Sequence, residues 1–377
     1  MNQKIRKVQE KIAQATVDAA LISSITNITY LSDFANFSPD EREAFLLITH
    51  DNQYVITDPR YSEEVKKHHN NFTLLEISTK IPLKKLLTTF CKKKGIRKVG
   101  FEVDNLTVDE YKKISKIFQK LKPLDLSNIR AIKTNKELQN IEKACQLGDE
   151  TFAHSIAILK EGITEKEVSF TIEFFIKKQG ADISFKPIVA FGKNSSVPHH
   201  QTSNQQLKTN DIILLDFGVK IRNYCSDMTR IVFFGKATNE KKRMYQTVLT
   251  AQQKAFDYIS SCHSQRREES REILRHTPQD DIGIKASEVD KMARDYITSQ
   301  GYPIIPHSLG HGIGIAVHES PSLSPKSKDV LQAGMIFSIE PGIYIPGVGG
   351  IRIEDLVILE QNGPRILTKS PRNLTKI

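Results

Sequence analysis

At 377 residues the chain has room for two or three domains and a sizeable hydrophobic core. A composition of 39% hydrophobic and 26% charged residues excludes a disordered or fibrous chain. The net charge of +10 admits an acidic partner, yet the basic residues are dispersed, and the densest run, Lys92-Lys93-Lys94, reads as a solvated helix face rather than a nucleic-acid site.

No stretch of about 18 apolar residues is present, and the first residues begin a polar helix rather than an apolar signal core. Cys91, Cys145, Cys225 and Cys262 are scattered, with neither CxxC spacing nor a disulfide framework. A reduced, cytoplasmic protein without membrane contact is expected.

Residues 1–125 read as a mixed α/β unit. A polar-apolar helix comes first, then strands over Ala19–Ser23 and Ile28–Leu31. Ala44–Thr49 and Gln53–Asp58 form a hairpin around His50-Asp51-Asn52. Pro82–Lys94 reads as helix, Val99–Val103 as strand and Val108–Lys120 as helix again. Asp33, His68 and His69 read as surface residues, and no catalytic constellation is visible here. Leu121–Ile132, with Pro123 and no clear period, marks the boundary, residues 126–133 serving as linker to a second domain over 134–377.

That second domain opens with capping-box spacing at Thr134 and Glu137, followed by an apolar helix face through Leu138, Ile141, Cys145 and Phe152. It then repeats itself weakly. Gly162-Ile163-Thr164-Glu165-Lys166-Glu167-Val168, ending at Gln179-Gly180, matches Gly283–Val289, ending at Gln300-Gly301, at an offset of 121. Upstream, Thr134-Asn135 and Phe152 match Thr238-Asn239 and Phe256 at an offset of 104. Each copy predicts a turn, a capped amphipathic helix and a glycine stop. The two offsets differ by 17 residues, which predicts an insertion within about 260–281, a charged stretch without a core pattern.

Each half carries a pair of acids in apolar runs. In DIILLDFGVKIRNYCSDMTRIVFFG, Asp216 and Asp227 are equidistant from the Ile221–Arg222 midpoint, so a hairpin centred there sets them opposite each other, roughly 4.5–5.5 Å apart at Cβ. In the second half Glu340 and Glu354 are equidistant from Gly347. Four clustered carboxylates repel unless they share protons or cations, and carboxylate oxygen suits hard divalent ions. His307, His311 and His318, in PHSLGHGIGIAVHE, offer imidazoles, and His199-His200 offer more. GHGIG alone is a weak signal; a phosphate cradle is its rival, but no Lys-Ser/Thr follows.

FKPIVAFGKNSSVPHH, LLDFGVKIRNYCSDMTR, PHSLGHGIGIAVHESP, SIEPGIYIP and GIRIED, in that order, resemble the Xaa-Pro peptidases, the aminopeptidase P and prolidase branch of the pita-bread dinuclear metallopeptidases. The resemblance covers roughly Thr134 to the C-terminus. It implies an α/β (α+β) fold, with a creatinase/prolidase-like N-terminal domain. The catalytic domain would be two similar αβ halves around a curved antiparallel sheet. By the same resemblance Asp216, Asp227, His311, Glu340 and Glu354 hold two divalent ions, manganese with cobalt or zinc as alternatives. A hydroxide bridging the ions would attack the bond before proline. Glu340 would carry the proton, and His318 and His199 would hydrogen-bond the substrate. His307 would line the pocket, and Phe185 or Tyr344 would wall the proline ring. Arg352, two residues before Glu354 and so on the same strand face, would support a ligand carboxylate, as would Tyr344, with a purely structural ion pair or packing role as the alternative for both. The implied substrates are short peptides with proline second, and the implied assembly is a homodimer or homotetramer.

The reading favours an Xaa-Pro aminopeptidase, with an Xaa-Pro dipeptidase as the close rival. A methionine aminopeptidase needs no comparable first domain, and a creatinase-like hydrolase tends not to keep all five ligands. A metal-free binding module of the same fold predicts damaged ligand positions, and all five are intact.

Overall fold

The structure is a computed structural model describing residues 3–38, 41–68, 71–272 and 283–377. It divides into two compact units, 1–130 and 131–377.

The first unit runs α1 (Gln3–Ala15), β1 (Ala19–Ile22), α2 (Ile25–Ser32), β2 (Ala44–Thr49), β3 (Gln53–Thr57), α3 (Pro59–His68) and β4 (Thr73–Glu76). It continues with α4 (Leu83–Lys94), β5 (Lys98–Phe101), α5 (Val108–Ser115) and β6 (Lys120–Pro123). The strands make one mixed sheet in the order β4-β3-β2-β1-β5-β6, with its own apolar core around Leu21, Leu47, Ile56 and Val99. The expected hairpin is β2–β3. Ile28–Leu31, expected as a strand, is instead helical. Ser24 Oγ accepts from Asn27 N at the front of α2, and Asp33 closes it in the left-handed conformation. Those two caps decide a short apolar run that fits either structure. The Val108–Lys120 helix ends at Ser115, and α3, β4 and β6 lie in stretches too polar to announce themselves. His69 lies outside the described residues.

The second unit begins with α6 (Asn135–Ala157), α7 (Glu165–Lys178), β7 (Asp182–Ile183) and β8 (Ile188–Phe191). The acid-bearing hairpin follows as β9 (Ile212–Phe217), β10 (Val219–Ile221), β11 (Tyr224–Cys225) and β12 (Met228–Phe233). Next come α8 (Asn239–Glu272), β13 (Ile284–Lys285), α9 (Ala286–Ser299), β14 (Gly310–Gly312), β15 (Glu319–Leu323) and β16 (Val330–Leu331). The chain closes with β17 (Ile336–Ile339), β18 (Gly342–Ile345), β19 (Gly349–Arg352), β20 (Asp355–Glu360), β21 (Gly363–Ile366) and β22 (Thr375–Lys376).

The duplication is visible in these elements. α6 and α8 start 104 residues apart, and α7 and α9, each of 14 residues, start 121 apart. Thr164 makes a complete capping box on α7, whereas α9 starts at Lys285 with no side-chain cap. The insertion is not a loop from its start. α8 is 34 residues long against 23 for α6, so the charged segment first extends that helix through Glu272. Residues 273–282, where the rest of the insertion falls, lie outside the described residues.

The strands group as β22-β12-β9-β8, as β15-β14-β17-β20-β21 and as the hairpin β18–β19, with small side ladders β11-β10-β7 and β13-β16. α6 and α7 cover the first half through Ala144, Val168, Ile172 and Ile176 against Ile213, Leu215 and Val232. α8 and α9 cover the second through Val248, Ala255, Val289 and Ile297 against Phe337, Ile339 and Val357. Each fully buried aliphatic side chain stabilises this packing by about 1.5–3 kcal/mol. Asp216 lies on β9, and Asp227, Glu340 and Glu354 lie at breaks between the strands.

Candidate metal centre

The first acid pair is set by a turn that differs from expectation. Arg222 and Asn223 both take positive φ, 48° and 70°, the geometry of a two-residue hairpin turn. The centre therefore lies between Arg222 and Asn223, and Asp216 pairs with Thr229 rather than with Asp227. Asp227 lies between β11 and β12, two residues along from Thr229. Side chains two apart share a strand face, so both aspartates still reach one cleft, offset diagonally. The ladder is interrupted at Gly218, where a Cβ would stand 1.9 Å from Ser226 O.

The second pair keeps the expected register. β18–β19 and β17–β20 both fold about Gly347, pairing Gly342 with Arg352 and Ile339 with Asp355. Glu340 and Glu354 fall at the break between these two ladders. Their amides turn elsewhere: Glu340 N donates to Leu309 O at 2.7 Å, and Glu354 N donates to Thr229 O at 3.2 Å. The first bond ties Glu340 to the histidine strand; the second ties Glu354 to the first-half hairpin.

His311 lies on β14. Its Nδ1 stands 3.1 Å from Gly312 O, so Nδ1 carries hydrogen and Nε2 is presented to the acids, 3.3 Å from Glu340 Oε1 and 3.7 Å from Asp227 Oδ2. Ligand atoms of Asp227, His311 and Glu354 all lie within 4.8 Å of one another.

A cavity of about 580 Å³ collects these groups. Asp216, Asp227, Glu340, Glu354, His199, His307, His311, His318 and Arg352 line it beside an apolar wall of Phe185, Ile188, Pro198 and Val317. Tyr344 is buried behind Arg352, so it supports the site and Phe185 makes the wall. His200 turns away, and its Nε2 meets the buried Glu165 carboxylate at 2.8 Å.

Arg352 organises the rear of the cleft. Its guanidinium donates to Asp216 Oδ2, to Thr229 Oγ1 at 3.0 Å, to Tyr344 OH at 3.0 Å and to Pro198 O at 3.3 Å. Tyr344 OH is 2.9 Å from His307 Nε2, and His307 Nδ1 is 2.8 Å from Ser308 O. A guanidinium only donates and a carbonyl only accepts. The direction is therefore fixed: Arg352 donates to Tyr344, Tyr344 to His307 Nε2, and His307 Nδ1–H to Ser308. Both ring nitrogens of His307 are engaged, so it contributes a ring face to the cleft rather than a hydrogen bond to substrate.

The electrostatics state the same conflict that the composition of the site implies. Burial, with the charges of Glu354 and Asp216, pushes the Asp227 carboxyl well above its ordinary value. Burial, then Glu340 and Asp216, pushes Glu354 up to about 8. Burial also raises Asp216, against the opposing charge of Arg352. Burial would raise Glu340 as well, but the hydrogen bond and charge of His311 hold it below the usual range. His311 shows the reciprocal effect: burial would lower it, and Glu340 lifts it to about 9. Protons thus take the place that cations would fill. Two acceptors stay unsatisfied even so, since Asp227 Oδ1 and Glu354 Oε1 are buried without a hydrogen-bond partner. Hard oxygen donors plus one imidazole nitrogen suit a first-row divalent ion.

Residues 139–361 match the metallopeptidase family M24, and residues 4–132 match the creatinase/prolidase N-terminal domain. The chain belongs to metallopeptidase family M24. Its second unit is the pita-bread domain of that family, and the protein is a metallopeptidase. It is 33% identical over 380 residues to the Xaa-Pro dipeptidase of Pyrococcus horikoshii, covering 99% of both chains. Among solved structures it is similar to an Xaa-Pro dipeptidase from Bacillus anthracis, with 34% identity, a TM-score of 0.86 and coverage of 100% and 99%. It is also similar to an X-Pro aminopeptidase from Thermotoga maritima, with 30% identity, a TM-score of 0.84 and 99% of each chain covered. No described helix of this M24 peptidase is long and apolar enough to cross a membrane.

Sequence reasoning missed Thr229. It stands in the SDMTR motif two residues after Asp227, and that period-two spacing was the available signal. Its hydroxyl contacts both Glu354 Oε2, at 2.8 Å, and Arg352.

Proposed function

We propose that the protein is a metal-dependent Xaa-Pro dipeptidase, hydrolysing the bond between an amino acid and a C-terminal proline. The observation that carries this reading is the convergence of Asp216, Asp227, His311, Glu340 and Glu354 on one cleft with two unpartnered buried oxygens. The reading shifts from the aminopeptidase favoured on sequence to its rival. The Pyrococcus and Bacillus relatives, aligned end to end with this chain, carry the dipeptidase name.

In this reading the five residues hold two divalent ions, taken as manganese, with cobalt or zinc as the alternatives. Such ions lower the pKa of a coordinated water and polarise the scissile carbonyl. Glu340 takes up the proton released at Oε1 and returns it to the leaving proline nitrogen, which has no hydrogen of its own in the peptide. His318 and His199 donate to the carbonyl oxygen as charge develops there. Asp216 is held in place by Arg352 Nη2, and His307 closes the wall with its ring. Phe185, Ile188 and Val317 supply the apolar surface for the pyrrolidine ring. A cytoplasmic location accords with four free cysteines, and a homodimer or homotetramer is the assembly expected of this branch.

One feature favours the aminopeptidase as a second reading. A dipeptide brings a free carboxylate into the cleft, and Arg352 is the sole Lys or Arg among the described lining residues. Its donors already serve Asp216, Thr229, Tyr344 and Pro198 O. His307 and His318 are both held below their ordinary pKa, each first by desolvation, and so are neutral at pH 7. A longer peptide brings no carboxylate to that position. Product analysis with Xaa-Pro and Xaa-Pro-Yaa separates the two. Cleavage of the dipeptide alone supports the dipeptidase; release of Xaa from the tripeptide establishes the aminopeptidase; silence on both with metal bound removes proline peptides as the substrate class.

A further inference from the structure

We propose that Thr229 is a positioning residue that fixes Glu354 for metal binding and couples it to Asp216 through Arg352. The inference rests on the metal reading above and adds a residue outside the ligand set.

Thr229 is fully buried on β12, directly opposite Asp216 on β9. It grips Glu354 at two points. Its carbonyl accepts from Glu354 N at 3.2 Å, and its hydroxyl lies 2.8 Å from Glu354 Oε2. The direction of the second bond follows once Glu354 is ionised, as metal binding requires: a carboxylate only accepts, so the Thr229 hydroxyl donates. Arg352 Nε can only donate, so at 3.0 Å it spends its hydrogen on Thr229 Oγ1. The Thr229 hydrogen is then free to point at Glu354 Oε2. One carboxylate oxygen is thereby anchored, and the other, Oε1, is the buried atom without a partner. The torsional freedom that would let Glu354 swing away from the cleft is removed before any ion arrives.

The same guanidinium reaches Asp216 Oδ2. Arg352 therefore holds one acid of the first half directly and one acid of the second half through Thr229. Arg230 reinforces the junction from below, donating to the carbonyls of both Thr229 and Glu354 while paired with the buried Asp355. A side chain at 229 that fills the same volume but lacks the hydroxyl would leave Glu354 Oε2 and Arg352 Nε both unsatisfied, with the backbone clamp intact.

The test uses isosteric and conservative variants of the full chain, stripped of metal and titrated with MnCl2 by calorimetry. Thr229→Val is expected to weaken Mn2+ binding by about 10–100-fold, the range for loss of a group that orients a metal ligand. Thr229→Ser keeps the hydroxyl and is expected to bind within about threefold of the parent, because the ligand-orienting bond survives. Thermal unfolding of the metal-free variants checks that both remain folded. Equal Mn2+ affinity for parent and Thr229→Val overturns the inference and leaves the metal reading standing. Equal losses in Val and Ser overturn it too, because they assign the effect to volume rather than to the hydroxyl. A parent protein that takes up no Mn2+ removes the metal reading itself.

Discussion

Asp227 Oδ1 and Glu354 Oε1 are buried acceptors that no donor among the described residues reaches, and burial together with neighbouring charge pushes both carboxyls upward. This has a thermodynamic sign. Glu354 titrates near 8 in the folded, metal-free chain, against about 4.3 for an unfolded glutamate. Between those values the folded state binds a proton that the unfolded state has released, so this group costs the metal-free protein stability as pH rises through that window. A divalent ion bound by Glu354, as proposed, would replace the proton and remove the penalty, while at lower pH it would have to compete with it. The gain in Tm on adding Mn2+ to metal-stripped protein should therefore be larger at pH 8 than at pH 6. Scanning calorimetry at the two pH values checks this; a gain that shrinks with rising pH would contradict it.

At the scale of elements, the two acid pairs show what a sequence can and cannot announce. Glu340 and Glu354 were legible because the turn about Gly347 sits at the centre of symmetric strands and the register follows it outward. Asp216 and Asp227 were legible as a pair but not in their register. Placing the turn at Arg222–Asn223 needs positive φ at two non-glycine residues, for which Arg222 gives no warning. Sharing of a strand face, which survives a two-residue shift, still brings both aspartates to one cavity where the exact partner failed. In the first unit, Ile28–Leu31 turned from strand to helix because Ser24 and Asp33 cap it, while Thr134 and Glu137 announced α6 correctly. Arg352 was identified from its place two residues before Glu354. Its contacts to Tyr344 and to Thr229, 123 residues away, exist only after folding.

Gly218 offers a direct check on the hairpin. A methyl there meets Ser226 O at 1.9 Å, and that atom is backbone, so the bend between β9 and β10 must move to admit it. Gly218→Ala is expected to cost about 3 kcal/mol of stability, near the upper end for overpacking. The urea midpoint should fall while the slope stays unchanged. A midpoint within error of the parent would show that the β9–β10 bend is not fixed as described.

At the scale of the whole molecule, the 131–377 unit uses its internal duplication to place chemistry between similar halves. Each half wraps its strands with two helices and sends acids to the shared cleft, Asp216 and Asp227 from one, Glu340 and Glu354 from the other. His311 joins from the second half alone. The halves differ where the repeat predicts, since α8 outruns α6 after their matched starts. In the proposed reading the four carboxylates would match the charge of two dications, which two carboxylates from one half alone would not. The most direct measurement is the metal content of the protein at equilibrium with Mn2+, by dialysis and elemental analysis, for the parent and for Glu354→Gln. About two ions per chain in the parent, with a marked loss in the variant, is the result expected of a shared site built from both halves. No bound metal in the parent, or equal content in parent and variant, would contradict it.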